Sequence, residues 1–169
     1  MDYFLTTHRL GFRCWTEDDF QIALELWSDP EVMRLIGGPM GPDGVRMRLA
    51  NEIAQMNALG IQYWPIFLLK TGEHVGCVGL RPRTQDDLVF ELGFHLRRAF
   101  WGKGYATEAA REVVEYAFET LEAEALFAGH HPMNDRSRKV LEQLRFKATA
   151  LQHYPPIGMM EPTYLLRRK

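Results

Sequence analysis

The segment Glu91-Leu92-Gly93-Phe94-His95-Leu96-Arg97 alternates apolar residues with chemically active ones. Successive side chains of a strand point to opposite faces, so Leu92, Phe94 and Leu96 share one face and Glu91, Gly93, His95 and Arg97 the other. A carboxylate and an imidazole on one face can each relay a proton through water, which is the work of a general base. The plainer alternative is an ion-paired carboxylate and a satisfied histidine lining a cleft. Arg97-Arg98-Ala99-Phe100-Trp101-Gly102-Lys103-Gly104-Tyr105-Ala106-Thr107 follows directly, a glycine turn ahead of a strongly helical pattern. Unpaired N–H groups converge at such a helix start, and small residues let phosphate oxygens approach them. A P-loop is excluded because Gly104 stands where Ser or Thr must follow the lysine. A dinucleotide fingerprint is excluded because Thr107 stands where its third glycine belongs.

The remaining nucleophiles and ligands point elsewhere. Ser28 and Ser137 are the only serines, and neither sits in a Gly-x-Ser-x-Gly elbow, which disfavours a serine hydrolase. Asn134 precedes a helical pattern and reads as its cap. Cys14 and Cys77 lie in apolar surroundings without zinc or disulfide spacing and read as core thiols. His130 and His131 are adjacent and diverge on a strand end, so no metal site is expected.

These groups need elements to position them. Leu10 to Trp15 reads as a strand and Thr16 as the cap of a helix running to Ser28, with a short turn after Asp29-Pro30; Gly37 to Gly44 is a loop and Val45 to Leu59 a helix. Gln62 to Leu69 and His74 to Leu80 form a hairpin, followed by a turn at Thr84 to Asp87 and the strand Leu88 to Leu96. Thr107 to Leu121 is the clearest helix, followed by strand Ala125 to Gly129, helix Asp135 to Leu144 and strands Phe146 to His153 and Thr163 to Arg168. The intervening Tyr154 to Pro162 reads as a loop presenting Met159 and Met160, an adaptable apolar surface suited to ligand selection. With 169 residues the chain is expected to be one domain, 1–169. A net charge of −2 excludes a general attraction to nucleic acid or membranes, and the lack of a long apolar run points to a cytoplasmic protein.

Together, Glu91-Leu92-Gly93-Phe94, Trp101-Gly102-Lys103-Gly104-Tyr105-Ala106-Thr107-Glu108-Ala109, and Asn134-Asp135-Arg136-Ser137 leading to Leu141-Glu142-Gln143-Leu144-Arg145-Phe146 resemble the GNAT superfamily of acyl-CoA-dependent N-acetyltransferases. The resemblance is to the branch that includes the acetyltransferases of ribosomal-protein N-termini. It departs at Trp101, where the superfamily has Arg or Gln, at Arg145, where it has glycine, and at Leu141, which replaces a tyrosine general acid of many relatives. The resemblance implies an α/β GNAT fold: a mainly antiparallel sheet of about six or seven strands, splayed between the Leu88 and Leu126 strands, with about four helices. It implies acetyl-CoA as co-substrate, held by Phe94, His95 and Leu96, by the turn Trp101, Gly102, Lys103, Gly104, Tyr105, Ala106 and Thr107, and by Asn134 and Ser137. Glu91 and His95 are then rival base candidates, and Ser137, near the sulfur, is the acid candidate.

Arg136, Arg138, Lys139, Arg145 and Lys147 suit a polyanionic coenzyme, and the acidic first 31 residues suit a cationic amine. The acceptor is a small-molecule amine or a protein N-terminus, in a monomer or homodimer. The rival readings are a non-catalytic acyl-CoA-binding or protein-interaction module, and a nucleotide-binding regulator.

Overall fold

The computed structural model describes residues 2–83 and 88–168, and the turn expected at Thr84 to Asp87 lies outside the described residues. Strands β1 (Leu5–Thr6) and β2 (Leu10–Phe12) open the chain, followed by a 3-10 turn and helices α1 (Phe20–Trp27), α2 (Pro30–Met33) and α3 (Pro42–Leu59). Next come β3 (Tyr63–Leu68), β4 (His74–Pro82), β5 (Val89–Leu96) and α4 (Tyr105–Glu119). The last elements are β6 (Ala125–Gly129), α5 (Asp135–Gln143), β7 (Lys147–Tyr154) and β8 (Met159–Arg167). Local chemistry sets the helix ends. Asp29 caps α2, its carboxylate accepting the Glu31 and Val32 N–H groups at 2.8 and 3.2 Å. Pro42 opens α3 where its missing N–H costs nothing, and left-handed Gly60 ends it.

All eight strands join one sheet in the order β1-β2-β3-β4-β5-β6-β8-β7. Neighbours are antiparallel except β5 and β6, which run parallel with Val89, Phe90 and Glu91 opposite Ala125, Leu126 and Phe127. Beyond Glu91, β5 stays paired to β4 as far as Leu96, whereas β6 continues to Gly129 against β8. The sheet therefore opens between the ends of β5 and β6. One face carries Leu92, Leu96 and Leu126 into a core with Ala110 and Val113 of α4 and Leu141 of α5. The other face carries Tyr63 and Cys77 against Leu26, Trp27 and Leu49 of α1 and α3.

The splayed, mainly antiparallel sheet is as expected, while the described residues form eight strands and five helices rather than six or seven and about four. The two-residue β1 is too short to show a hydrophobic period, and α2 is a single capped turn. Residues 154 to 162 are not one loop: Pro155–Ile157 makes a tight 3-10 turn and β8 already begins at Met159. Pro162 is tolerated within β8 because it lies opposite an irregularity in β7, where the pairing shifts between Ala148 and Leu151. Arg145 itself takes the left-handed conformation that glycine would favour, with φ of 66°, so the turn after α5 is kept at a cost of about 1 kcal/mol. No helix among the described residues is long and apolar enough to cross a membrane.

Candidate active site

Two cavities meet at the opening of the sheet. The larger, about 740 Å³, runs between the end of β5, the glycine turn, α5 and α2. Phe94, His95 and Leu96 line it from the strand, and Asn134 and Ser137 from the start of α5. Trp101, Gly102, Gly104, Tyr105, Ala106 and Thr107 line it from the turn and the first residues of α4. Lys103, the remaining member of the expected coenzyme set, is not among the lining residues. Its carbonyl accepts from Arg9 at 3.1 Å, and its ammonium lies 5.6 Å from the centre of the Phe100 ring.

The turn has the form an anion requires. Gly102 and Gly104 have φ of 73° and 80°, a conformation that favours glycine. The N–H groups from Gly102 to Thr107 find no protein acceptor among the described residues, because the first helical bond runs from the Glu108 N–H to the Gly104 carbonyl. The Trp101 indole donates to the Leu96 carbonyl at 2.7 Å, which ties the turn to β5, and the Arg136 guanidinium sits 4.4 Å from the centre of the Trp101 ring. The Asn134 side chain accepts the Ser137 N–H at 3.1 Å, so its capping role is real and fixes the start of α5 beside the cleft. These donors and stacked cations fit a nucleotide-containing polyanion such as coenzyme A.

The smaller cavity, about 90 Å³, lies on the far side of the opening and shares Phe94, His95, Asn134 and Ser137 with the larger one. Glu91 lines it, together with Tyr63, Tyr154 and Glu161. The carboxylates of Glu91 and Glu161 have no hydrogen-bond partner among the described residues. Burial raises the Glu91 carboxyl above its ordinary range, against the nearby charges of Arg81 and Arg83. Glu161, only 8% exposed, is pushed up to about 7 by burial and then by the Glu91 charge, with Arg83 opposing. Two glycines make room for this arrangement. A Cβ at Gly93 would run into the Tyr63 hydroxyl, and one at Gly129 into the Glu161 carboxylate.

His95 is buried, and its Nδ1 accepts the Trp27 indole N–H at 3.3 Å. A ring nitrogen that accepts carries no proton, so in the neutral ring the hydrogen is on Nε2. Burial first, and then the charges of Arg48 and Arg81, hold His95 well below its ordinary range.

Spacing along the sequence shows Glu91 and His95 on one strand face, but not that Trp27, 68 residues earlier, fixes the His95 ring. Glu161 and Tyr63 escape a reading of the sequence. The alternation Glu161, Thr163, Leu165 was a signal for Glu161, hidden by the surrounding prolines. Cys77 is buried, which pushes its thiol up to about 12, so it is a packing residue; Cys14 is half-buried and likewise raised, by burial. His130 bonds the His131 carbonyl at 2.8 Å and the Tyr164 hydroxyl at 3.1 Å. Among the described residues, no three His, Cys, Asp or Glu side chains are grouped to hold a metal ion.

Comparison with known proteins agrees with this geometry. Residues 9–147 match the model of the Acetyltransferase (GNAT) domain. The FsC-acetyl coenzyme A-N(2)-transacetylase of Aspergillus fumigatus is 35% identical over 173 residues, covering 93% of this chain and 72% of that protein. An uncharacterised N-acetyltransferase of Bacillus licheniformis is 30% identical, covering 87% of this chain and 84% of its own length. Among solved structures, an acetyltransferase from Agrobacterium tumefaciens superimposes with a TM-score of 0.83 at 27% identity, covering 99% and 98% of the two chains. RimL, a ribosomal alpha-N-protein acetyltransferase in complex with coenzyme A, shares the fold with a TM-score of 0.84 at 12% identity and 98% coverage of each chain. The glycine turn, the splayed sheet and these matches agree, and the chain belongs to the GNAT family of acetyl-CoA-dependent N-acetyltransferases.

Proposed function

We propose that the chain transfers an acetyl group directly to a primary amine, with acetyl-CoA in the larger cavity and the amine in the smaller one. The observation that carries this reading is that the two cavities share Phe94, His95, Asn134 and Ser137 in their linings, so that a thioester in one and an amine in the other would meet beside these residues. Bound acetyl-CoA supplies an activated acetyl thioester. The glycine turn would hold its phosphates, and the strand end Phe94 to Leu96 would border its arm.

An alkylamine with a pKa near 10.4 is mostly ammonium at neutral pH, so its reaction requires a proton acceptor. Glu161, with a carboxyl at about 7 and no hydrogen bond among the described residues, takes that proton, and the Glu91 charge beside it attracts the ammonium. His95 keeps its hydrogen on Nε2 and acts as a neutral donor at the junction of the cavities rather than as a base. Ser137, at the same junction, protonates the departing thiolate, a role that Leu141 cannot fill. The new C–N bond replaces the C–S bond; the ammonium nitrogen sheds two protons, one to Glu161 before attack and one as the amide forms, and the second offsets the proton that Ser137 gives to the sulfur. Two similar proteins, the N(2)-transacetylase and the alpha-N-protein acetyltransferase, are both named for nitrogen acceptors.

The test is thiol release from acetyl-CoA against a panel of small amines and peptides with free N-termini. Acceptor-dependent turnover supports the assignment. Tight coenzyme binding with no turnover on any amine returns the chain to the non-catalytic reading.

A further inference from the structure

Arg9 lies in the turn between β1 and β2, 94 residues before the glycine turn, yet it is bound to it. Its backbone N–H and its Nε donate to the two Glu108 carboxylate oxygens at 2.9 and 2.6 Å, and Nη2 closes the ion pair at 2.6 Å. Nη1 donates to the Lys103 carbonyl at 3.1 Å, and the guanidinium carbon stands 4.3 Å from the centre of the Tyr105 ring. Nη2 is also 3.5 Å from the point that a Cβ on Gly104 would occupy. The Thr7 hydroxyl donates to Glu108 at 2.6 Å and completes the clamp.

Glu108 lies in the first turn of α4, on the helix that presents free N–H groups to the coenzyme phosphates. Burial opposes its ionisation, but the bonds from Thr7 and Arg9 and the Arg9 charge outweigh it and hold the carboxyl below its ordinary range. A fixed negative charge there repels a polyanion across a few ångströms of partly excluded solvent.

We infer that Arg9 is a positioning residue for coenzyme binding: it cancels the Glu108 charge next to the phosphate site and fixes the glycine turn through the Lys103 carbonyl. The inference rests on the coenzyme occupying the glycine turn, as proposed above. It assigns a role in coenzyme binding to the first hairpin, remote in sequence from the glycine turn.

The experiment compares coenzyme A affinity by calorimetry at low and moderate salt for wild type, Arg9→Gln, Glu108→Gln and the double variant, with folding checked by melting curves. Arg9→Gln should weaken binding about tenfold at low salt, less at higher salt, with the loss in KM for acetyl-CoA rather than in kcat. Glu108→Gln should bind as tightly as wild type or a few-fold tighter, and the double variant should regain most of the lost affinity. A clamp that acted by packing alone would give three variants all weakened, the double most of all, and that ordering overturns the inference. Unchanged affinity in Arg9→Gln also overturns it. Where Arg9→Gln alone does not fold, Glu108→Gln and the double variant decide: weakening in both overturns the inference, and retention in both supports it. Gly104→Val separates the two readings. If it leaves affinity unchanged, the placement of the coenzyme fails; if it weakens affinity while Arg9→Gln does not, only the role of Arg9 fails.

Discussion

Replacing Glu161 with glutamine should yield a protein that is slower and more stable at once. The carboxyl titrates at about 7 in the folded chain, because burial and the Glu91 charge disfavour its ionised form, against an ordinary value of 4.5. Between those values the folded state binds more protons than the unfolded state, so stability falls as pH rises through that window. The gap corresponds to on the order of 3 kcal/mol by pH 8, an upper figure for a group bordering a cavity open to water. Glutamine cannot ionise, so the variant should melt above wild type at pH 8 and the two should converge near pH 4. Its kcat/KM, followed by thiol release, should drop by roughly 10²-fold or more, the usual scale of general-base assistance. The wild-type rate has its own signature. A carboxylate titrating at about 7 is roughly one tenth ionised at pH 6 and nine tenths at pH 8, so kcat/KM should rise about tenfold across that interval. Glu91→Gln removes the neighbouring charge and should move that rise to lower pH. Full activity in Glu161→Gln, or lost activity without added stability at pH 8, refutes the reasoning.

His74 is buried and held at about 4 by burial and the Arg97 charge, so its contribution is intact above pH 6.5 and is lost as pH falls to 4; His74→Gln should flatten a loss of about 3 kcal/mol in acid denaturation curves. Gly93→Ala places a methyl group against the Tyr63 hydroxyl and should lower both melting temperature and kcat, whereas the same change at exposed Gly72 should leave kcat alone. Gly104→Val forces a β-branched residue into φ of 80° and should raise the dissociation constant for coenzyme A at least tenfold in calorimetry. Arg145→Gly should raise stability by about 1 kcal/mol in urea unfolding, by relieving the left-handed arginine after α5.

What could be read in the sequence was local. The glycine turn, the alternation of β5 and the cap of α5 each arise from residues within a dozen positions, so type and spacing were enough. Glu161 belongs to the same cavity as Glu91 but arrives from β8, and the prolines at 155, 156 and 162 imitate an irregular loop. In the fold, the first two make the turn and the third sits opposite an irregular stretch of β7. The Trp27 to His95 bond and the Arg9 clamp are products of packing between distant segments, and no periodicity announces either.

The single parallel junction also bears on how the molecule holds together. Among the described residues, strands β1 to β5 follow one another in the sheet and β6 to β8 form a three-stranded group, the two joined in the sheet by three residue pairs of β5 and β6. The seam has fewer residue pairs than the seven of β4 and β5 and the five of β6 and β8 that flank it, and sub-global opening along it should cost less than complete unfolding. A coenzyme in the proposed position, between the β5 end and α5, would touch both units and act as a staple across the seam. Its binding free energy then adds to the cohesion of the two halves. Native-state hydrogen exchange would show this as protection gained together at the ends of β5 and β6, far beyond the amides in contact with the ligand.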